Sequence, residues 1–282
     1  MNRNLIISAI VLILAATGCN PEIEEGVRKK DLKHDVELTT DFGVIVFRLS
    51  DETPLHRNNF IRLVNQGFYD SLLFHRVINN FLVQTGDPDS RVSEADASLG
   101  ETDLPYTVPA EFTPNLFHKR GAINAARNDN PERASSSTQF TIIQGRVYND
   151  STLAMAESRI NGWLASNRVV NDPANKELFE LQQRLRRSET GRDSLAFVRG
   201  IIDSLVQADQ AAAEPYRIPE AHREVYKSEG GAAHLDQNYT VFGEVISGME
   251  VVDKIAAVET NRADRPVNDV RIISARMIRR KN

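Results

Sequence analysis

The sequence predicts a mainly β fold with a long α-helical segment inserted into it. Apolar and polar residues alternate over 36–40, 44–49 and 81–84, as they do in strands with one buried face. From Gln144 to about Ala232 this alternation stops, and apolar residues recur at helical spacing instead. We therefore expect one β domain built from residues 36–144 and 233–282, interrupted by a helical insertion over 145–232.

The composition is that of a globular protein that is not built to bind nucleic acid. The chain has 282 residues, of which 41% are hydrophobic and 26% charged, and its net charge is −5. The mild acidity argues against DNA or RNA as a partner. A single cysteine, Cys19, excludes an intrachain disulfide and a cysteine-based zinc site.

The beginning of the chain has the pattern of an export signal. A short basic start precedes a mostly apolar run over 5–16, which is too short to span a bilayer, and small residues come directly before Cys19. This pattern resembles a bacterial lipoprotein signal peptide over 1–18. The resemblance implies that Cys19 is lipidated and that the protein is anchored to a membrane of the cell envelope, facing the periplasm or the outer surface. An ordinary secretory signal with a chance cysteine is the alternative.

Local patterns define the first elements of the β domain. Residues 19–35 are polar and charged without a hydrophobic period, which predicts a tether. The alternating runs 36–40 and 44–49 predict a hairpin that turns at Asp41-Phe42-Gly43. A helix is expected to begin at Pro54, which suits a first turn, and to end at Gly67.

The most informative stretch runs from Phe74 to Asp87 and holds one fixed cation, Arg76, among apolar residues. His75 and Gln84 are the polar side chains that could share a face with it. An arginine on an apolar strand is costly unless it has a partner or faces a ligand. An edge arginine that reaches solvent is the alternative interpretation.

Two later blocks complete the pattern. One consists of residues 121–127, a polar loop, and residues 137–143, which include Ser-Thr-Gln-Phe-Thr. The other spans 234–245 and contains His-Leu-Asp and Val-Phe-Gly. Residues 248–256 then predict a short amphipathic helix, and 270–277 a closing strand.

The three blocks, in this order, resemble the cyclophilins, a family of peptidyl-prolyl cis-trans isomerases. The resemblance covers roughly residues 36–143 and 234–278, and it implies a closed antiparallel β-barrel capped by two helices. It also implies that no cofactor is needed. The family does not usually carry the segment 145–232.

The resemblance assigns roles to individual residues. Arg76 and Gln84 fall at catalytic positions, and residues at nine further positions would bind the substrate. Thr141 departs from the family, which usually has an aromatic residue there, and His234 replaces a tryptophan. The implied substrate-binding residues are Phe81, Leu82, Ala126, Gln139, Phe140, Thr141, His234, Leu235 and Tyr239.

The implied reaction is rotation about an Xaa–Pro bond in exported or envelope proteins, so that proline-containing unfolded or partly folded polypeptides are the expected partners. Rotation needs no nucleophile, only a donor for the prolyl nitrogen as it loses amide conjugation. Arg76 suits that role because a guanidinium stays charged and presents several N–H groups. The rival hypothesis is a weakly or non-catalytic binding module of the same fold, a chaperone that holds proline-containing segments.

Helical spacing within the insertion predicts helices over 153–167, 175–188 and 193–213. The insertion could be a surface decoration with its own small core, or a dimer contact. It could also be a lid or a docking site for client proteins.

Other chemistries find no support in the sequence. The six histidines show no metal-ligand spacing, and no glycine-rich phosphate loop is present, so no metal site is expected. Residues 135–137 are three serines in a polar loop without a nucleophile elbow. We expect His75 to be structural.

Overall fold

The fold is an eight-stranded antiparallel sheet with helices packed against it. The computed structural model describes residues 22–92, 94, 97–188 and 192–280. The strands are β1 (Glu22–Glu24), β2 (Val27–Arg28), β3 (His34–Thr40), β4 (Gly43–Leu49), β5 (Arg76–Ile78), β6 (Leu82–Thr85), β7 (Ala122–Ala125), β8 (Phe140–Ile143), β9 (Val241–Ser247) and β10 (Ile272–Arg279). The helices are α1 (Pro54–Asn65), α2 (Asp150–Asn171), α3 (Lys176–Arg186), α4 (Arg192–Ala212), α5 (Glu220–Ser228) and α6 (Met249–Ala256).

The sheet curls but does not close, so the prediction of a closed barrel is wrong. Its strand order is β10-β3-β4-β9-β7-β8-β6-β5, which leaves β5 and β10 as the two edges. Strand β5 has only three residues, too few to pair along the eight residues of β10. Residues 71–74, which precede β5, pair with residues 270–272 at the start of β10: Ser71 N donates to Ile272 O, and Phe74 N donates to Val270 O.

Two helices, α1 and α6, cover the inner face of the sheet. Both were predicted from the sequence, as was the hairpin of β3 and β4. Helix α1 begins at Pro54 as predicted, and Gly67 adopts a left-handed φ of 67° just beyond its end. Phe60 of α1 stacks on Tyr69 with ring centroids 4.7 Å apart and meets Phe47 edge-on at 5.6 Å. Buried side chains of α6, among them Val252, join the same core.

The prediction of a tether over 19–35 is wrong for residues 22–35. Strands β1 and β2 form a small hairpin, and Val27 is fully buried in the main core. Asn65 of α1 donates to Gly26 O at 3.1 Å, and Asn58 donates to Glu24 at 2.7 Å. One buried valine and two amide donors hold this polar stretch against α1, although it shows no periodicity.

The insertion is helical, and its apolar core also contacts the β domain. Helices α2, α3 and α4 agree with the three predicted helices, whereas the short α5 was missed. A second apolar cluster joins α2 and α5, and Ala233 and the partly buried Phe117 of the β domain pack against them. Its buried members are Tyr148, Leu153, Ala156, Ile160, Ile218, Tyr226 and Ala233. Six of these seven residues lie within 145–232, so this part of the insertion has the small core of its own that was one of the expected alternatives, and Ala233 connects that core to the β domain.

In the part of the chain that the structure describes, no helix combines the length and the apolar character needed to cross a membrane. Cys19 and the predicted signal peptide over 1–18 lie outside the described residues.

Candidate active site

The register of β6 and β8 sorts the predicted site residues onto the two faces of the sheet. Gln84 lies opposite Thr141, and the adjacent Thr85 lies opposite Phe140. Because side chains alternate along a strand, Leu82, Gln84 and Thr141 share one face, and Thr85 and Phe140 share the other. We name the first of these the groove face. The second belongs to the main core.

Arg76 opens the edge strand β5 and stands opposite Gln84 on the groove face. Its Nη1 donates to Gln84 Oε1 at 3.2 Å, and its Nε lies 3.7 Å from Asp264 Oδ2. The Arg76 side chain is 39% exposed and that of Asp264 45%, so solvent screens the ion pair. Since a guanidinium carries five N–H donors, these two contacts orient Arg76 and leave other donors able to reach a ligand.

A chain of amide hydrogen bonds sets the orientation of Gln84. The Gln139 side-chain nitrogen donates to Gly100 O at 3.1 Å and to Thr102 O at 3.0 Å, so the Gln139 oxygen must point the other way. That oxygen accepts from Gln84 Nε2 at 3.1 Å. The Gln84 oxygen is then left to accept from Arg76. Two backbone carbonyls thus fix, through two amides, which end of Gln84 faces the cation.

Beside Arg76, Gln84 and Gln139 lies an apolar patch that contains four of the predicted pocket residues. Leu82 and Leu235 are buried there, and the rings of Phe81 and Tyr239 pack against them with part of their surface exposed. The structure therefore brings together the pair Arg76 and Gln84 and a patch of rings on one side of the sheet.

His234 joins the patch through its ring. It stacks on Phe81 with centroids 5.3 Å apart and an interplanar angle of 30°. Burial lowers the pKa of His234 to about 4, and the nearby Arg159 adds to the effect. The ring is therefore neutral at pH 7 and acts as a flat, weakly polar wall.

Phe140 does not line the groove, which corrects its assignment as a pocket residue. It is 1% exposed and lies in the main core, where its ring meets Phe60 at 5.1 Å and Tyr69 at 5.4 Å. Strand alternation is the reason, because a residue opposite Thr85 must face inward when Thr141 faces outward.

Thr141 and Ala126 are both committed to contacts within the chain. Thr141 is 4% exposed, and its hydroxyl donates to Asn124 Oδ1 at 2.5 Å. The backbone N–H of Ala126 donates to Gln139 O, and its carbonyl accepts from Ser136 N. Only the second lone pair of the Ala126 carbonyl remains for a peptide N–H.

Three residues beside the site were not predicted. Asp264 was missed because it lies far from Arg76 in sequence, in a loop without a recognisable pattern. Asn124 was passed over as part of an apolar block. Trp163 of α2 packs against the apolar patch, and its ring lies 6.5 Å from that of Tyr239. As the only tryptophan of the chain, Trp163 was the one of the three that composition could have singled out.

His75 is buried next to Arg76, at 4% exposure, and neither ring nitrogen has a hydrogen-bond partner among the described residues. Burial lowers its pKa to about 4, while Asp87 opposes the shift and Arg76 adds to it. A neutral ring in this position fits the structural role expected from the sequence.

One serine of the polar loop does meet a histidine. Ser135 Oγ lies 2.9 Å from His56 Nε2, and His56 Nδ1 lies 2.7 Å from Glu111 Oε2. Ser135 is 1% exposed, and Glu111 also accepts the backbone N–H groups of Leu55 and His56 at the start of α1. Buried in this way, the three side chains anchor α1 and offer no route to a substrate.

The described residues contain no group of three or more histidine, cysteine or acidic side chains that could hold a metal ion. An oriented cation and an apolar patch on one face of a curled antiparallel sheet form a surface suited to an extended polypeptide segment. A family model described as "Cyclophilin type peptidyl-prolyl cis-trans isomerase/CLD" matches residues 35–157 and 221–277. The chain belongs to the cyclophilin-type peptidyl-prolyl cis-trans isomerase family.

Individual relatives agree with this family. A protein of Staphylococcus haemolyticus (strain JCSC1435), named "Putative peptidyl-prolyl cis-trans isomerase", is 26% identical over 255 residues, which cover 90% of this chain and 95% of the relative. A Staphylococcus aureus (strain USA300) protein of the same name matches with the same identity and coverage. A Cryptosporidium parvum cyclophilin-type isomerase shares the fold, with a TM-score of 0.51, 16% identity, and coverage of 88% of this chain and 99% of that one.

Proposed function

We propose that this protein accelerates rotation about Xaa–Pro bonds in exported or envelope polypeptides, with Arg76 as the residue that stabilises the twisted transition state. Rotation meets a barrier near 20 kcal/mol because the amide is conjugated. When the bond twists, the prolyl nitrogen regains its lone pair and can accept a hydrogen bond. A donor that acts only at that point lowers the barrier.

The observation that carries the proposal is the geometry of Arg76. Its guanidinium is oriented by Gln84, partly exposed, and placed on the sheet face that also carries Leu82 and the ring of Phe81. A proline ring resting on that patch would bring its nitrogen within reach of Arg76. The Cryptosporidium parvum isomerase was also solved in the presence of the dipeptide Ala-Pro, which supports a proline-containing ligand for this fold.

The test is a refolding assay on a protein whose slow step is proline isomerisation. We expect Arg76→Ala to abolish the acceleration and Arg76→Lys to restore little of it, because an ammonium presents fewer donors in another geometry. The matched control is Arg199→Ala, which removes an exposed arginine from α4. Equal activity of wild type and Arg76→Ala would reject the catalytic role.

A binding module of the same fold is the second candidate, and Thr141 favours it. A threonine buries less apolar area than an aromatic side chain, and this one is tied to Asn124. In that case wild type and Arg76→Ala would slow the aggregation of a proline-rich client equally, without changing the rate of its isomerisation.

The cellular setting remains a proposal drawn from the sequence. The signal-like start and Cys19 support a lipid anchor in the bacterial envelope. Labelled palmitate should appear on the wild type and be absent from Cys19→Ala. Labelling of both, or of neither, would argue for a protein without this anchor.

A further inference from the structure

The insertion and the β domain enclose a cleft that the proposed reaction does not use. The cleft has a volume of about 530 Å³, enough for several residues of an extended chain. The loop 127–133 forms one wall, helices α2, α3 and α4 form the other, and Tyr239 lies at the end nearest the apolar patch.

The cleft is continuous with the candidate active site. Trp163 and Tyr239 belong to the apolar patch and also line the cleft, and both residues are partly exposed. Arg127, another lining residue, directly follows Ala126 in the chain. A polypeptide that lies on the patch can therefore extend into the cleft without turning away from the protein.

The cleft has an apolar floor and cationic walls. Val170, Phe179 and Ile202 supply the floor, while Arg133 and Arg186 stand with Arg127 among the lining residues. Among the described residues, Asp129 is the only acidic one that lines the cleft, and its carboxylate is fully exposed, 3.9 Å from Arg127.

Neutral groups hold the two arginines of the loop. Arg127 donates to Asn238 O at 3.0 Å and to Asn238 Oδ1 at 2.8 Å, and Arg133 donates to Gln237 O at 2.7 Å. Carbonyl acceptors orient a guanidinium without cancelling its charge. Burial lowers the pKa of Arg133, and repulsion from Arg127 adds to this. Because Asp129 is fully exposed, solvent screens its ion pair with Arg127.

We propose that this cleft is a subsite for the substrate residues that flank the proline, that it selects acidic residues, and that Trp163 forms the wall between it and the proline patch. The inference rests on the proposed function, because it concerns the same substrate chain. Complementary charge raises the association rate and the specificity of such a complex.

The experiment compares two proline peptides that differ only in flanking residues, glutamates in one and lysines in the other. Binding is read from the fluorescence of Trp163, the only tryptophan, and turnover from the rate of isomerisation. We expect the acidic peptide to bind more tightly and to shift the emission of Trp163. High salt should reduce the difference.

Arg186→Glu and Arg184→Glu form a matched pair. Both residues are exposed on α3, but only Arg186 lines the cleft. We expect Arg186→Glu to lower the affinity for the acidic peptide about three-fold and to raise the affinity for the lysine peptide about three-fold. Arg184→Glu should change neither by as much.

The possible outcomes separate this inference from the proposed function. Three results would each overturn the subsite. The two peptides could bind equally, the two variants could have equal effects, or saturating peptide could leave the emission of Trp163 unchanged. If turnover depends on Arg76 in the same experiment, the isomerase function stands nonetheless. If neither peptide is turned over, the fluorescence titration still decides whether the cleft selects acidic chains.

Discussion

The Arg76 guanidinium donates to the side-chain oxygen of Gln84 at 3.2 Å, and the Gln84 nitrogen is itself bonded to Gln139. The amide therefore positions the cation. We expect Gln84→Ala to reduce kcat/KM for proline isomerisation about ten-fold, the loss for one positioning hydrogen bond of roughly 1.4 kcal/mol. Unfolding in urea should change little, because Gln84 is only partly buried.

Gln207→Ala is the control for that measurement, since it removes an exposed glutamine from α4 that does not line the cleft. If Gln84→Ala keeps the wild-type kcat/KM, Arg76 does not depend on this contact for its position.

Two phenylalanines that belong to different apolar clusters should respond in opposite ways to truncation. Phe140 is buried in the main core, and Phe81 packs on the groove face. We expect Phe140→Ala to lower the free energy of unfolding by about 3–5 kcal/mol. Phe81→Ala should cost much less stability and should raise KM for a proline peptide instead. A Phe140→Ala variant that folds stably but binds peptide poorly would place Phe140 back in the groove.

The buried His75 predicts a pH-dependent stability. Burial lowers its folded-state pKa to about 4, below the unfolded value near 6.5. Between these values the unfolded chain binds a proton that the folded protein does not, so stability is full above pH 6.5 and falls as the pH drops towards 4. The loss from this residue is on the order of 2–3 kcal/mol.

The variant His75→Phe isolates that contribution. The described residues provide no hydrogen-bond partner for either ring nitrogen, so a phenyl ring should be tolerated at pH 7.5 within about 1 kcal/mol. Urea unfolding at pH 7.5 and pH 4.5 should then show a smaller drop than the wild type shows. Identical drops in the two proteins would mean that His75 does not titrate differently in the folded and unfolded states.

Asp236 ties the insertion to the β domain. One of its carboxylate oxygens accepts from the hydroxyl of Tyr226 on α5 at 2.8 Å, and the other accepts from His118 Nδ1 at 2.8 Å. We expect Tyr226→Phe to lower the free energy of unfolding by about 1–3 kcal/mol, since Asp236 is buried and would lose a donor. The measurement is urea unfolding near pH 7.

Tyr148→Phe is the comparison, because the Tyr148 hydroxyl meets His234 at 3.4 Å, Arg146 and the backbone of Ala233, none of which is a carboxylate. It should cost less than half as much as Tyr226→Phe. Equal costs would show that the hydrogen bond from Tyr226 to Asp236 contributes no more stability than the contacts of the Tyr148 hydroxyl do.

The elements that the sequence predicts well are those with local signals. Helix α1 has proline at its start and glycine beyond its end, and the first hairpin has strict alternation around Asp41-Phe42-Gly43. Helices α2 to α4 follow from apolar spacing alone. The short α5 carries too few turns for such a period, and Val27 and Leu32 are isolated apolar residues in a charged stretch.

At the candidate site, the sequence alone singled out Arg76, Gln84 and the rings of the apolar patch. The order of residue types along a chain can be matched to a family without knowing the conformation. Tertiary structure decided which of them share a face. It turned Phe140 into the core, brought Asp264 to Arg76 across the sheet edge and placed Trp163 of the insertion beside Tyr239. These contacts depend on strand register and on packing between distant segments, and neither leaves a periodic trace in the sequence.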